Sequence, residues 1–233
     1  MIYITGGIDG ANRIAKLNCK NFKEQKQMSS NDYLIICGDF KLVYNNSEEE
    51  KRLLNLLAKK HFKILLVEGA NENFDLLNDC SSILFNGTPA QKIAGNIIRL
   101  KRGYIYNIDN YKILTIGGGI SKSKVLNIPH STYWTESLPT KEDIKICINS
   151  IKANKYKVDY IITADSPNSF KEKFNDGIDI SEYGEFLDRI KDVVKFKKWY
   201  CSNVDLDKIT SRFICLNNYF YKIGEDKPIN KNI

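Results

Sequence analysis

A layered α/β sandwich with antiparallel additions is the fold class this sequence predicts, on three observations. Short runs rich in β-branched residues recur along the chain, segments of helical spacing separate several of them, and the stretch from 83 to 118 is dense in strand-forming residues. With 233 residues, 42% hydrophobic and 11% aromatic, the chain is long enough to bury a sizeable core in one domain. That domain is expected to span residues 1–223, with residues 224–233 as a frayed tail.

In chain order, the expected strands are "MIYIT" (1–5), "YLIIC" (33–37), "KILLVE" (63–68), "IIRL" (97–100), "YIYNI" (104–108), "YKILTIGG" (111–118), "DYIIT" (159–163), "KWYC" (198–201), "RFICL" (212–216) and "YFYKI" (219–223). Three helices are expected. "SEEEKRLLNLLAKKH" follows Ser47 as cap, with Glu in its first turn and Lys and His in its last. "PTKEDIKICINSIKANK" opens on Pro139 and a Thr140/Asp143 pair that resembles a capping box, and "SEYGEFLDRIKDVV" is the third.

Composition narrows the class. No apolar run approaches the roughly 18 residues of a membrane span, and "MIYITGG" is too short for a signal peptide, so a cytoplasmic protein without a membrane partner is expected. The six cysteines, at 19, 37, 80, 147, 201 and 215, form neither a CxxC pair nor a zinc-ribbon spacing and read as reduced and structural. The net charge of +7 permits an acidic partner such as nucleic acid, but a coding bias toward Lys produces the same excess.

In such sheets the site lies just beyond the C-terminal ends of strands. Five loops fall there: "GGIDG", "GDFKLVY", "GANENFD", "ADSPNS" and "SNVDLDK". Taken in order, and with flanks such as "DYLIICGDF", "RLKRGYIYNIDNYKILTIGGGIS" and "KKWYCSNVDLDK", they resemble the calcineurin-like metallophosphoesterases over about residues 1–223. The resemblance implies a metallophosphoesterase-like β-sandwich flanked by helices. It also implies a dinuclear Mn, Fe or Zn centre at the strand ends, where two metals about 4 Å apart activate a bridging water.

The chain departs from that family at almost every ligand. The family's GDxHG has become Gly7 and Asp9, Asp39 keeps the bridging carboxylate, and the GNHE positions hold Ala70 and Asn71 ahead of Glu72. The lone His is Ala164, and the two His of GHxH are Asn203 and Asp205. The only histidines, His61 and His130, lie outside these loops and read as surface or packing residues. A dinuclear centre is therefore not expected, and the chain reads as a pseudoenzyme.

Three readings of the remaining carboxylates stay open. Asp9, Asp39 and Asp205 form a vestigial oxygen-only site for one Mg²⁺ or Ca²⁺, Lys41 supplies an internal cation in place of the metal, or the aspartates stand solvated in an open cleft. "GGG" (117–119) lacks a phosphate-loop pattern and reads as a strand-exit turn. Basic stretches at 20–27, 99–104 and 191–200 make nucleic-acid contact a candidate, and the irregular segment 121–134 is a candidate partner loop or lid. The functional expectation is binding. The chain acts as an inhibitor or adaptor on a protein or nucleoprotein partner, with single-metal phosphodiesterase activity or capture of a phosphorylated ligand as alternatives, and a phage origin is compatible with either.

Overall fold

The computed structural model describes residues 1–121, 128–173, 180–202 and 207–229. Two mixed sheets stack face to face. The larger contains β1 (Ile2–Gly6), β2 (Tyr33–Gly38), β3 (Lys63–Glu68), β4 (Ser81–Phe85), β5 (Thr88–Ala94), β6 (Ile97–Leu100) and β13 (Phe220–Lys222), in the order β13-β1-β2-β3-β6-β5-β4. The smaller contains β7 (Ile105–Ile108), β8 (Tyr111–Ile116), β9 (Tyr160–Thr163), β10 (Lys198–Cys201), β11 (Lys208–Ile209) and β12 (Phe213–Cys215), in the order β11-β12-β10-β9-β8-β7.

Parallel pairing joins β1, β2, β3 and β6 in one sheet and β8, β9, β10 and β12 in the other. These strands read as near-continuous apolar runs because both of their faces are covered. One cluster, including Ile4, Ile35, Leu65, Tyr106, Ile162 and Tyr200, fills the space between the sheets. A second, with Phe22, Leu53, Leu57 and Phe62, covers the outside of the larger sheet. A third, with Cys147, Ile151, Leu187 and Trp199, lies outside the smaller one. The result is a mixed α/β sandwich.

The helix signals hold at their starts. Ser47 caps α1 (Glu48–Ala58) by accepting from the Glu50 N–H, and Thr140 with Asp143 closes a reciprocal capping box on α3 (Lys141–Ala153). Ser181 caps α5 (Glu182–Val193). Two short helices, α2 (Phe74–Asn78) and α4 (Asn168–Lys171), follow the site loops. The Lys and His expected in the last turn of α1 fall beyond it, since the helix stops at Ala58.

Three features differ from expectation. The β4–β5 hairpin falls mostly within the strand-dense stretch 83–118 but is not among the named strands, because Pro89 and the polar residues around it weaken the pattern. β11 consists of two residues only, too short for any periodicity. The chain beyond 223 returns along β13, where Pro228 bridges Tyr221 and the Ile229 N–H donates to the Phe220 carbonyl. All six cysteines are unbridged, four of them buried. Among the described residues no helix is long and apolar enough to cross a membrane.

Candidate functional site

The C-terminal ends of the parallel strands meet at one cleft of about 320 Å³, lined by Gly7, Asp9, Arg13, Asp39, Lys41, Ala70, Asn71, Ala164 and Ser202 among others. The loops after β1 and β2 run side by side. The Ile8 and Asp9 N–H groups both donate to the Asp39 carbonyl (2.9 and 3.0 Å), and the Gly10 N–H donates to that of Phe40. Close approach dictates the glycine here: a Cβ on Gly7 lies 2.7 Å from both the backbone N and O of Asp39.

The predicted residues that the structure describes come together, and polar atoms of Asp9, Asp39 and Lys41 find partners within the chain. Lys41 Nζ lies 2.8 Å from Asp9 Oδ1. Both residues adopt left-handed backbone conformations (φ 49° and 47°), which cost free energy for non-glycine residues. Burial opposes the charge on each. Their mutual hydrogen bond, together with the surrounding hydrogen bonds and charges, outweighs it, lowering the Asp9 pKa and raising that of Lys41.

Asp39 is held from the third loop: its Oδ1 accepts from the Asn71 N–H (3.0 Å) and its Oδ2 from the Asn71 side-chain amide (2.7 Å). Ser121, at the start of the segment expected to border the site, donates to Asn71 Oδ1. Ala164 follows directly on β9 and offers no side-chain donor atom. Asn203 and Asp205 lie outside the described residues.

Glu72 stands behind this layer, fully buried, and accepts from the Phe40 and Lys41 N–H groups (2.5 and 3.0 Å). Burial, then the neighbouring Asp39 carboxylate, pushes its pKa up to about 8, against the two amides that favour its charged form. The donor set among the described residues does not fit the dinuclear centre. Gly7, Ala70 and Ala164 supply no ligand, and the Asp9, Asp39 and Glu72 carboxylates already serve Lys41, Asn71 and backbone amides. Among the described residues no three His, Cys, Asp or Glu side chains converge as a metal would require.

Sequence reasoning missed the groups that hold the loops. Glu68, the last residue of β3, is buried with Arg102 Nε at 2.7 Å and Arg99 Nη2 at 3.2 Å from its Oε1. Burial works against its charge, and the two guanidiniums outweigh that, holding the carboxyl down at about 2. The Glu68 carbonyl accepts from Gly118 at 2.7 Å, and a Cβ on Gly117 lies 2.5 Å from the Glu68 carboxylate, which ties the "GGG" turn to the third loop. Asp165, beside Ala164, is fully buried and pairs with Lys171 at 2.9 Å.

On the other wall Arg13 donates to Asn217 Oδ1 (2.9 Å), and buried Lys16 donates to the Gly6 (3.2 Å) and Asn217 carbonyls. Burial, reinforced by Arg13, lowers the Lys16 pKa to about 7. A charged residue closing an otherwise apolar strand, as in "KILLVE", is the one sequence signal that marks Glu68.

The basic stretches are only partly paired: Lys20, Lys23 and Lys26 of 20–27 are exposed, while several residues of the other two have acidic partners. Arg99 and Arg102 are buried on Glu68, Lys191 pairs with Asp188, Lys197 with Asp159, and Lys198 with Asp226. His61 is exposed with its ring edge-on to Phe62, and exposed His130 pairs with Asp75 at 3.1 Å. Compared with known proteins, the chain matches no protein-family model, no curated protein and no solved structure.

Proposed function

We propose that this chain is a non-hydrolytic binding protein on a metallophosphoesterase-like frame, with an internal ion pair where the family resemblance implies a metal. The observation that carries the reading is the Lys41–Asp9 pair beside the Asn71–Asp39 bonds, which together engage Asp9 and Asp39. A cation supplied by the chain neutralises Asp9 without a Lewis acid or an activated water, so hydrolysis loses its nucleophile and its clamp. A frame kept without that chemistry serves as an inhibitor or adaptor on a protein or nucleoprotein partner, the latter supported by the net charge of +7.

A second reading has its own support. Arg13 and Lys41 both line the cleft, with the Ser202 and Asn71 side chains near them, a set able to hold an anionic ligand without cleaving it. The test is hydrolysis of bis(p-nitrophenyl) phosphate with Mn²⁺ or Mg²⁺ added. Wild type and Asp39→Ala are expected at the same background rate; metal-dependent turnover that disappears in Asp39→Ala overturns the proposal. A small anion released on denaturation, and lost in Lys41→Ala, selects the second reading.

A further inference from the structure

The larger sheet has two ends, and the chain treats them differently. At one end β13 is covered by the returning segment that carries Pro228 and Ile229. At the other, β4 pairs with β5 on one side and has no strand on its outer side among the described residues. Natural edge strands are blunted with charge, proline or bulges. "SSILF" has neither charge nor proline, and its pairing with β5 runs without a bulge.

The hairpin identifies which backbone groups face outward. Asn86 and Gly87 both have positive φ (50° and 80°), as in the two-residue turn that makes the flanking Phe85 and Thr88 a hydrogen-bonded pair. Alternation then directs the N–H and C=O groups of Ser81, Ile83 and Phe85 toward β5 and those of Ser82 and Leu84 toward the open edge. Pro89, which lacks an N–H, sits opposite Leu84, where that ladder needs no bond. Leu84 is 71% exposed, the most exposed large hydrophobic side chain among the described residues.

We infer that β4 is a self-association edge, pairing antiparallel with β4 of a second copy about a two-fold axis at Ile83. This register sets Ser82 of each copy opposite Leu84 of the other, so the outward N–H and C=O groups of both residues are all paired. A one-residue slip points them away from each other. The side chains agree with the backbone. Small Ser82 lies beside large Leu84 on one face, and half-buried Ile83, packed against the inter-sheet cluster, meets its copy on the other. Flanking Asp79 falls toward Gly87 of the copy, so like charges do not oppose one another.

Sedimentation equilibrium of the full chain from about 1 to 100 µM tests this, because so small an interface associates weakly. The mass is expected to rise from 26.8 kDa toward twice that value. Leu84→Lys, and separately Ser82→Lys, place a charge on the exposed face and are expected to stay monomeric with unchanged circular dichroism. Hydrogen exchange at the Ser82 and Leu84 amides is expected to slow as wild-type concentration rises. A wild-type monomer throughout overturns the inference, including one whose edge instead takes up an added extended peptide. A dimer indifferent to both variants, or amide exchange independent of concentration, also overturns it.

Discussion

Glu68→Gln is expected to destabilise the fold by about 3–5 kcal/mol, because it removes the buried counter-charge that the Arg99 and Arg102 guanidiniums share. The loss is expected in urea unfolding at neutral pH and reaches the cleft, since the Glu68 carbonyl and the residues after it position the third loop. The pH dependence has a definite sign. The folded pKa, about 2, lies below the unfolded carboxyl value near 4.5, so the Glu68 contribution is full above the unfolded value and is lost as pH falls through the folded one. The gap between wild type and Glu68→Gln therefore narrows below about pH 4.5. A gap constant down to pH 2 contradicts the assignment.

Gly7→Asp, the change that supplies a ligand the resemblance implies, is expected to cost about 2–4 kcal/mol instead of building a metal site. A Cβ at that position lies 2.7 Å from the Asp39 backbone, so the first two loops must part and the Ile8 and Asp9 bonds to the Asp39 carbonyl are lost. Gly7→Ala separates sterics from charge: most of the loss is expected with the methyl group alone. Denaturation midpoints of both variants equal to wild type contradict this account.

Much of the frame was legible because local signals agreed with tertiary demand. "KILLVE" and "KWYC" are strands over the residues expected, and Ser47 and the Thr140/Asp143 box start their helices where the cap chemistry places them. The β4–β5 hairpin hid behind Pro89, although Asn86-Gly87 was its sequence signal. The convergence of Gly7, Asp9, Asp39, Ala70, Asn71 and Ala164 on one cleft was legible from strand-end position. Lys41 as an internal cation was one of three readings the sequence left open, and its contact with Asp9 forms with both residues in left-handed conformations, which no local signal marks. The Glu68 cluster was not legible, since its partners lie 31 and 34 residues away and looked like a surface basic run.

Native mass spectrometry of the purified chain, before and after addition of manganese or magnesium, tests most directly whether internal partners have replaced the metal. The account predicts the bare chain mass in both conditions, unchanged in Asp39→Ala. A stoichiometric metal increment on the wild type, absent from Asp39→Ala, contradicts it.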